Sequence, residues 1–136
     1  MILVTESDFS VDEVLGRLRS DSTGAVAGFV GVVRGEDKGR RIVRMELEAY
    51  KGMAERELSD IRARAVERFG LEGAVIIHRV GSLAPGDNIV LVAASSAHRK
   101  EAFAGAEYMI DELKKTVPIW KKEILDTGEE WVGEER

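Results

Sequence analysis

The chain contains no cysteine. That excludes disulfides, thiolate metal sites and a cysteine nucleophile. It has only two histidines and no HExxH pattern, so a zinc centre has no signature. No metal or other cofactor is called for. No apolar run approaches the ~20 residues of a membrane-spanning helix. The opening MILVTESDFS has neither a basic segment nor a long apolar stretch, so no signal peptide is expected. A cytoplasmic location is the simplest reading. With two prolines and no repeat or low-complexity stretch, no segment reads as a linker, and residues 1–136 are expected to form one domain. Positive charge is in the minority: 20 Lys and Arg stand against 25 Asp and Glu, for a net charge of −5. General affinity for nucleic acid is disfavoured, and any anion site must be a local basic cluster.

What remains is 44% hydrophobic and 33% charged, enough apolar material for a core. MILVTES reads as an edge strand. In SVDEVLGRLRS, Ser10 and Glu13 form a capping box ahead of Val11, Val14, Leu15 and Leu18 at helical spacing. TGAVAGFVGVVRG reads as a buried strand. GEDKGRR reads as a charged, mobile loop. IVRMELEAY alternates as a half-buried strand, with Ile42, Arg44, Glu46 and Glu48 opposite Val43, Met45, Leu47 and Ala49. A second helix carries Ala54, Leu58, Ile61, Ala65 and Phe69, and Gly70 is placed to stop it. GAVIIHRVGSL and NIVLVAASSA are strands on either side of an APGD turn. A third helix follows from His98, with Ala102, Phe103, Ala106, Met109, Ile110 and Leu113 on its apolar side, and Pro118 ends it. PIWKKEIL is a strand, DTGEE a turn, and WVGEER a last strand or tail. Strands that follow one another without an intervening helix predict an α+β fold with antiparallel pairs.

Three segments could carry chemistry. In SSAHRKEAF, Ser95 or Ser96 is a natural N-cap, which puts His98, Arg99 and Lys100 in the first helical turn. Cations there oppose the macrodipole at roughly 0.3–1 kcal/mol each. Free N–H groups, the dipole and these cations together make an anion site; the bland alternative is screening by Glu101 and solvent. In FVGVVRG, Arg34 ends a strand where its planar fork could hold a phosphate or carboxylate. Its glycines match neither a P-loop nor a dinucleotide fingerprint. In LKKTVPIWKKE, Lys114 and Lys115 fall in the last helical turn, where the dipole favours cations. Pro118 makes Val117 extended, and the strand after it puts Lys121 on one face with Ile119 and Glu123. Lys121 is then either a salt-bridged surface lysine or one held for proton transfer. His78 reads as a core or edge histidine.

His98 and Lys114 are sixteen positions apart on one predicted helix. At about 1.5 Å per residue they are roughly 24 Å apart, too far to touch one small ligand. Two copies related by a two-fold axis could supply both ends to one site. A homodimer with two composite sites is therefore expected.

GFVGVVRG, LEAYKGMAE, IIHRVGSLAPGD, SSAHRKEAF and LKKTVPIWKKE followed by WV resemble, in order and spacing, the large, catalytic subunit of molybdopterin synthase. The likeness covers about residues 24–133. It implies an α/β hammerhead-like fold, mostly antiparallel, with three main helices. It also implies an enzyme, a sulfurtransferase, that makes molybdopterin from cyclic pyranopterin monophosphate. Two sulfurs would come from the C-terminal Gly-Gly thiocarboxylate of a small ubiquitin-like sulfur-carrier subunit, one at each end of a dimer of large subunits. By matching motif positions, Lys114 and Lys121 would be catalytic, and Phe29, Arg34, His98 and Arg99 would bind substrate. Glu123 falls where the family has a glutamate near the lysines, and Lys115 and Lys122 are left as solvated neighbours. Val32 stands where some members have a lysine. Arg136 matches a substrate-contacting arginine only with a one-residue slip. The competing reading is a non-catalytic dimeric module for a phosphorylated small molecule or an acidic peptide tail.

Overall fold

A computed structural model describes residues 1–132 of the chain. Arg136 and the end of the expected C-terminal tail lie outside the described residues. Two sheets form the frame. In the first, β1 (Ile2–Thr5) runs parallel to β5 (Gly73–Arg79), which pairs antiparallel with β7 (Asn88–Ser96), which in turn pairs with β2 (Ala25–Val32). In the second, β3 (Glu36–Asp37), β4 (Arg40–Ala49), β8 (Ile119–Leu125) and β9 (Gly128–Trp131) lie side by side, and β6 (Gly81–Leu83) also pairs with β4. Three helices complete the chain: α1 (Val11–Arg17), α2 (Lys51–Phe69) and α3 (Arg99–Thr116). This is the mostly antiparallel α+β arrangement that the element pattern predicts.

The first sheet is covered on both faces, which is why its strands read as continuous apolar runs. Ala74 and Ile76 of β5 join the main core with Leu58 and Ile61 of α2 and Met109 and Leu113 of α3. Val75 and Ile77, of opposite parity, pack with Val14 of α1, Leu91 and Ala93. Each fully buried side chain of this size contributes roughly 1.5–3 kcal/mol. The edge strand β1 is tied down twice: the Met1 ammonium donates to the Ala74 carbonyl at 3.0 Å, and Val4 N–H donates to Glu55 Oε2 at 3.2 Å.

Local chemistry sets most boundaries as expected. Ser10 Oγ accepts from Glu13 N–H at 3.3 Å, while the Glu13 carboxylate lies beside Arg17 at 3.6 Å. Gly70 ends α2 in the left-handed conformation, φ 62°, where a Cβ would be strained.

Four expectations need correction. The segment 35–41 is not an open loop but a tight hairpin. Lys38 and Gly39 both adopt positive φ, 53° and 76°, as a two-residue type I′ turn requires, and Asp37 sits 3.4 Å from Arg34 and 3.7 Å from Arg40. The alternation of β4 fails at Val43, where the register with β8 shifts; that bulge turns Ile42 to the buried side with Met45 and Leu47. GAVIIHRVGSL is two strands, broken where Gly81 takes φ 95° and carries the chain from one sheet to the other. Phe103 is 65% exposed, and Gly105 takes its place on the buried side of α3. Leu71 presses so closely there that a Cβ on residue 105 would lie 2.8 Å from its Cδ1.

Candidate active site

The two ends of α3 set up the site. At its C-terminus, Val117 is extended (φ −84°, ψ 124°) and its N–H donates to the Leu113 carbonyl, the geometry a following proline imposes. β8 then returns along β4, with Lys121 opposite Leu47 and Glu123 opposite Met45. This places Lys114, from the helix, and Lys121, from the strand, on the walls of one cleft. A cavity of about 470 Å³ is lined by both lysines, His78, Trp120 and Trp131. It adjoins a second of about 690 Å³, lined by the same lysines, His78, Phe29, Arg34 and Glu123. Four of the six expected site residues, Phe29, Arg34, Lys114 and Lys121, thus come together within one chain, and Glu123 joins them.

The electrostatics of the cleft are unusual for lysine. Burial holds the Lys121 ammonium below the ordinary lysine range, and the positive charge of Lys114 adds to this. Glu123 is fully buried; burial raises its pKa, Asp37 adds to the rise, and Arg34 opposes it. Of the other two lysines of the LKKTVPIWKKE stretch, Lys115 also lines the smaller cavity, and Lys122 lines neither. Lys115 reaches Glu112 at 3.8 Å. Lys122 reaches Glu129 at 3.8 Å and lies 4.7 Å from the Trp131 ring centroid. Val32, at 45% exposure, lines the larger cavity without a charge.

His98 and Arg99 stand at the opposite end of α3 and line neither cavity. The helix starts later than the sequence suggests. Ser95 and Ser96 are not its cap but the last residues of β7, buried and paired with Val26 and Ala25. His98 is the N-cap, extended and without a side-chain cap bond, and the first turn holds Arg99, Lys100 and Glu101. Pairing with β2 outcompetes serine capping because Gly24 N–H also donates to the Ser96 carbonyl, at 3.0 Å. His98, Arg99 and Lys100 remain exposed beside the helix N-terminus, so the basic cluster survives the shift.

His78 is more than the core histidine the sequence suggests. It is fully buried at the end of the row Ala74, Ile76, His78, and it lines both cavities. Its Nδ1 lies 2.8 Å from the Arg79 carbonyl. A carbonyl only accepts, so Nδ1 carries the proton and Nε2 is a bare acceptor. Nε2 has no partner among the described residues. Burial lowers the His78 pKa to about 4, helped by Lys121 and Lys114 and opposed by the carbonyl bond. The available signal in the sequence was one polar residue on the core-facing parity of an otherwise apolar strand.

The fold and the cleft define an α+β protein whose cleft is lined by a desolvated lysine and an arginine. The MoaE protein family model matches residues 4–116. The molybdopterin synthase catalytic subunit of Pyrococcus abyssi is 43% identical over 129 residues, covering 95% of this chain and 87% of that one. That of Ralstonia nicotianae is 47% identical over 133 residues, covering 96% and 76%. The crystal structure of molybdopterin synthase from Staphylococcus aureus superposes with a TM-score of 0.90 at 38% identity, covering 96% of this chain and 95% of that one. The chain belongs to the family of molybdopterin synthase catalytic subunits, enzymes of molybdenum cofactor biosynthesis. Among the described residues no helix is long and apolar enough to cross a membrane.

Proposed function

We propose that the chain is a sulfurtransferase that converts cyclic pyranopterin monophosphate to molybdopterin. Two sulfurs come from two successive copies of a small ubiquitin-like partner ending in Gly-Gly, each carrying one on its C-terminal thiocarboxylate. The observation that carries this reading is the meeting of Lys114 and Lys121 in one cleft, with the Lys121 pKa lowered. Substrate and donor are both anionic, which accounts for a basic cleft in a chain of net charge −5. The thiocarboxylate sulfur of one donor displaces an oxygen substituent from a substrate carbon, which leaves as water, and joins donor to substrate through a thioester. Water then cleaves the acyl–sulfur bond, leaving sulfur on the substrate and a carboxylate on the donor. A second donor does the same at the carbon from which the cyclic phosphate oxygen departs. One lysine protonates the phosphate oxygen that leaves as the cyclic phosphate opens, and the other stabilises the acyl intermediate. A lysine of lowered pKa can give and take a proton near neutral pH.

Arg34 and Phe29 hold the substrate from the wall of the larger cavity. His98 and Arg99 hold its phosphate from a second copy of the chain, in a homodimer with two shared sites. Two features support this sharing: α3 separates its two basic ends by roughly 24 Å, and Phe103, exposed one turn after Arg99, offers a second copy an apolar contact. A cytoplasmic enzyme is the setting this chemistry implies. The test is turnover of cyclic pyranopterin monophosphate by the purified chain with thiocarboxylated donor. Molybdopterin formation above the enzyme-free rate is expected; no product despite bound donor rejects the reading.

A further inference from the structure

The cleft holds two desolvated groups that each lack what the other offers. His78 Nε2 is a buried acceptor with no donor among the described residues. Its tautomer is fixed by the Nδ1–H bond to the Arg79 carbonyl at 2.8 Å, so it cannot satisfy itself by shifting the proton. Lys121 lines the same two cavities, and among the described residues no carboxylate forms an ion pair with its ammonium. An unsatisfied buried acceptor is costly, and a partly buried ammonium without an acceptor is also penalised. The four-carbon lysine stem is flexible enough to bring one to the other.

We propose that His78 is a positioning residue for Lys121: its bare Nε2 accepts a hydrogen bond from the Lys121 ammonium and fixes where that proton points in the cleft. Lys114 is the weaker candidate donor, because its charge acts on His78 less than that of Lys121 does. The proposal rests on the proton-transfer role of Lys121 stated above. The other charged groups lining these cavities are Lys114 and Lys115 from α3, Glu123 from β8, and Arg34, Asp37 and Lys38.

The two amide replacements of histidine separate the two ring nitrogens. His78→Gln places an acceptor near the Nε2 position. His78→Asn is polar too but reaches only the Nδ1 position. The experiment is NMR titration of the Lys121 side chain in the ligand-free protein, using ¹³C-labelled lysine. Losing an acceptor destabilises the ammonium, so His78→Asn is expected to lower the Lys121 midpoint by about 0.5–1 pH unit, while His78→Gln holds it at the wild-type value. Equal midpoints in the two variants overturn the proposal. Should His78→Asn fail to fold, the ¹⁵N resonance of His78 Nε2 gives the answer by comparison of wild type with Lys121→Met. A hydrogen-bonded acceptor nitrogen shifts when its donor is removed, and an unchanged resonance overturns the proposal. Neither measurement needs substrate. If Lys121→Ala abolishes turnover but the titration ignores His78, this inference alone fails; if Lys121→Ala turns over normally, the catalytic reading fails whatever His78 does.

Discussion

Lys114, on the last turn of α3, lies close enough to Lys121, on β8, for its charge to add to the burial that holds the Lys121 ammonium below the ordinary lysine range. The two are joined by a short connection in which Val117 and Pro118 turn helix into strand. Two cations are thus directed into one partly buried place.

Removing either lysine should therefore cost chemistry rather than folding. Lys114→Ala and Lys121→Ala are each expected to lower kcat by about a hundredfold or more, the range of general acid–base catalysis, with little change in melting temperature. Steady-state turnover with thiocarboxylated donor checks this. Lys121→Arg separates catalysis from binding. It keeps the charge but does not give up a proton near neutral pH, so it should retain substrate binding and stay inactive.

The buried His78 imidazole makes a prediction about stability. Its folded pKa of about 4 lies below the ordinary 6.5. Between these values the unfolded chain binds more protons, so stability falls as pH falls through that window. The contribution is about 3 kcal/mol between pH 7 and pH 4. Glu123, whose pKa is raised by burial, has the opposite slope: stability falls as pH rises through its folded pKa. Urea unfolding of His78→Gln beside wild type isolates the histidine. The difference in unfolding free energy should change by about that amount between pH 7 and pH 4.

Two glycines should respond to alanine in opposite directions. A Cβ on Gly24 would lie 2.0 Å from the Ala97 carbonyl oxygen, a backbone atom that cannot move without displacing the start of α3. Gly24→Ala is expected to destabilise by about 2 kcal/mol or more and to weaken substrate binding through His98 and Arg99. A Cβ on Gly52, inside α2, meets nothing within 4 Å. Gly52→Ala should stabilise by about 0.5 kcal/mol, through the unfolded chain. Thermal melts of the two variants give both signs.

The parts of this fold that short-range rules determine were legible in the sequence: the Ser10 cap, the Gly70 stop, the extension of Val117 before Pro118, and the strand after it that carries Lys121 and Glu123 on one face. The misses came from long-range competition. Ser95 and Ser96 have the chemistry of caps, but a sheet partner about seventy positions away, invisible to local pattern, claims their backbone; β2 supplies it at Ala25 and Val26. Gly105 is buried in place of Phe103 because Leu71, from the end of α2, reaches α3. His78 was read by its apolar neighbours, and nothing local announces that the last position of its row opens onto a cleft shared with two lysines from α3 and β8. Conversely, the separation of His98 and Arg99 from Lys114 needed only helix length, and the structure keeps them at opposite ends of α3.

Under the proposed function, each site is completed by two copies of this chain. The most direct test is complementation. Arg99→Ala and Lys121→Ala chains, each inactive alone, are mixed in equal amounts, and subunit exchange is confirmed by mass spectrometry. Random pairing leaves one intact site in each mixed dimer, so turnover should recover to about a quarter of wild type. If exchange is complete and turnover stays at the level of the separate variants, the two residues do not act in a site shared between copies.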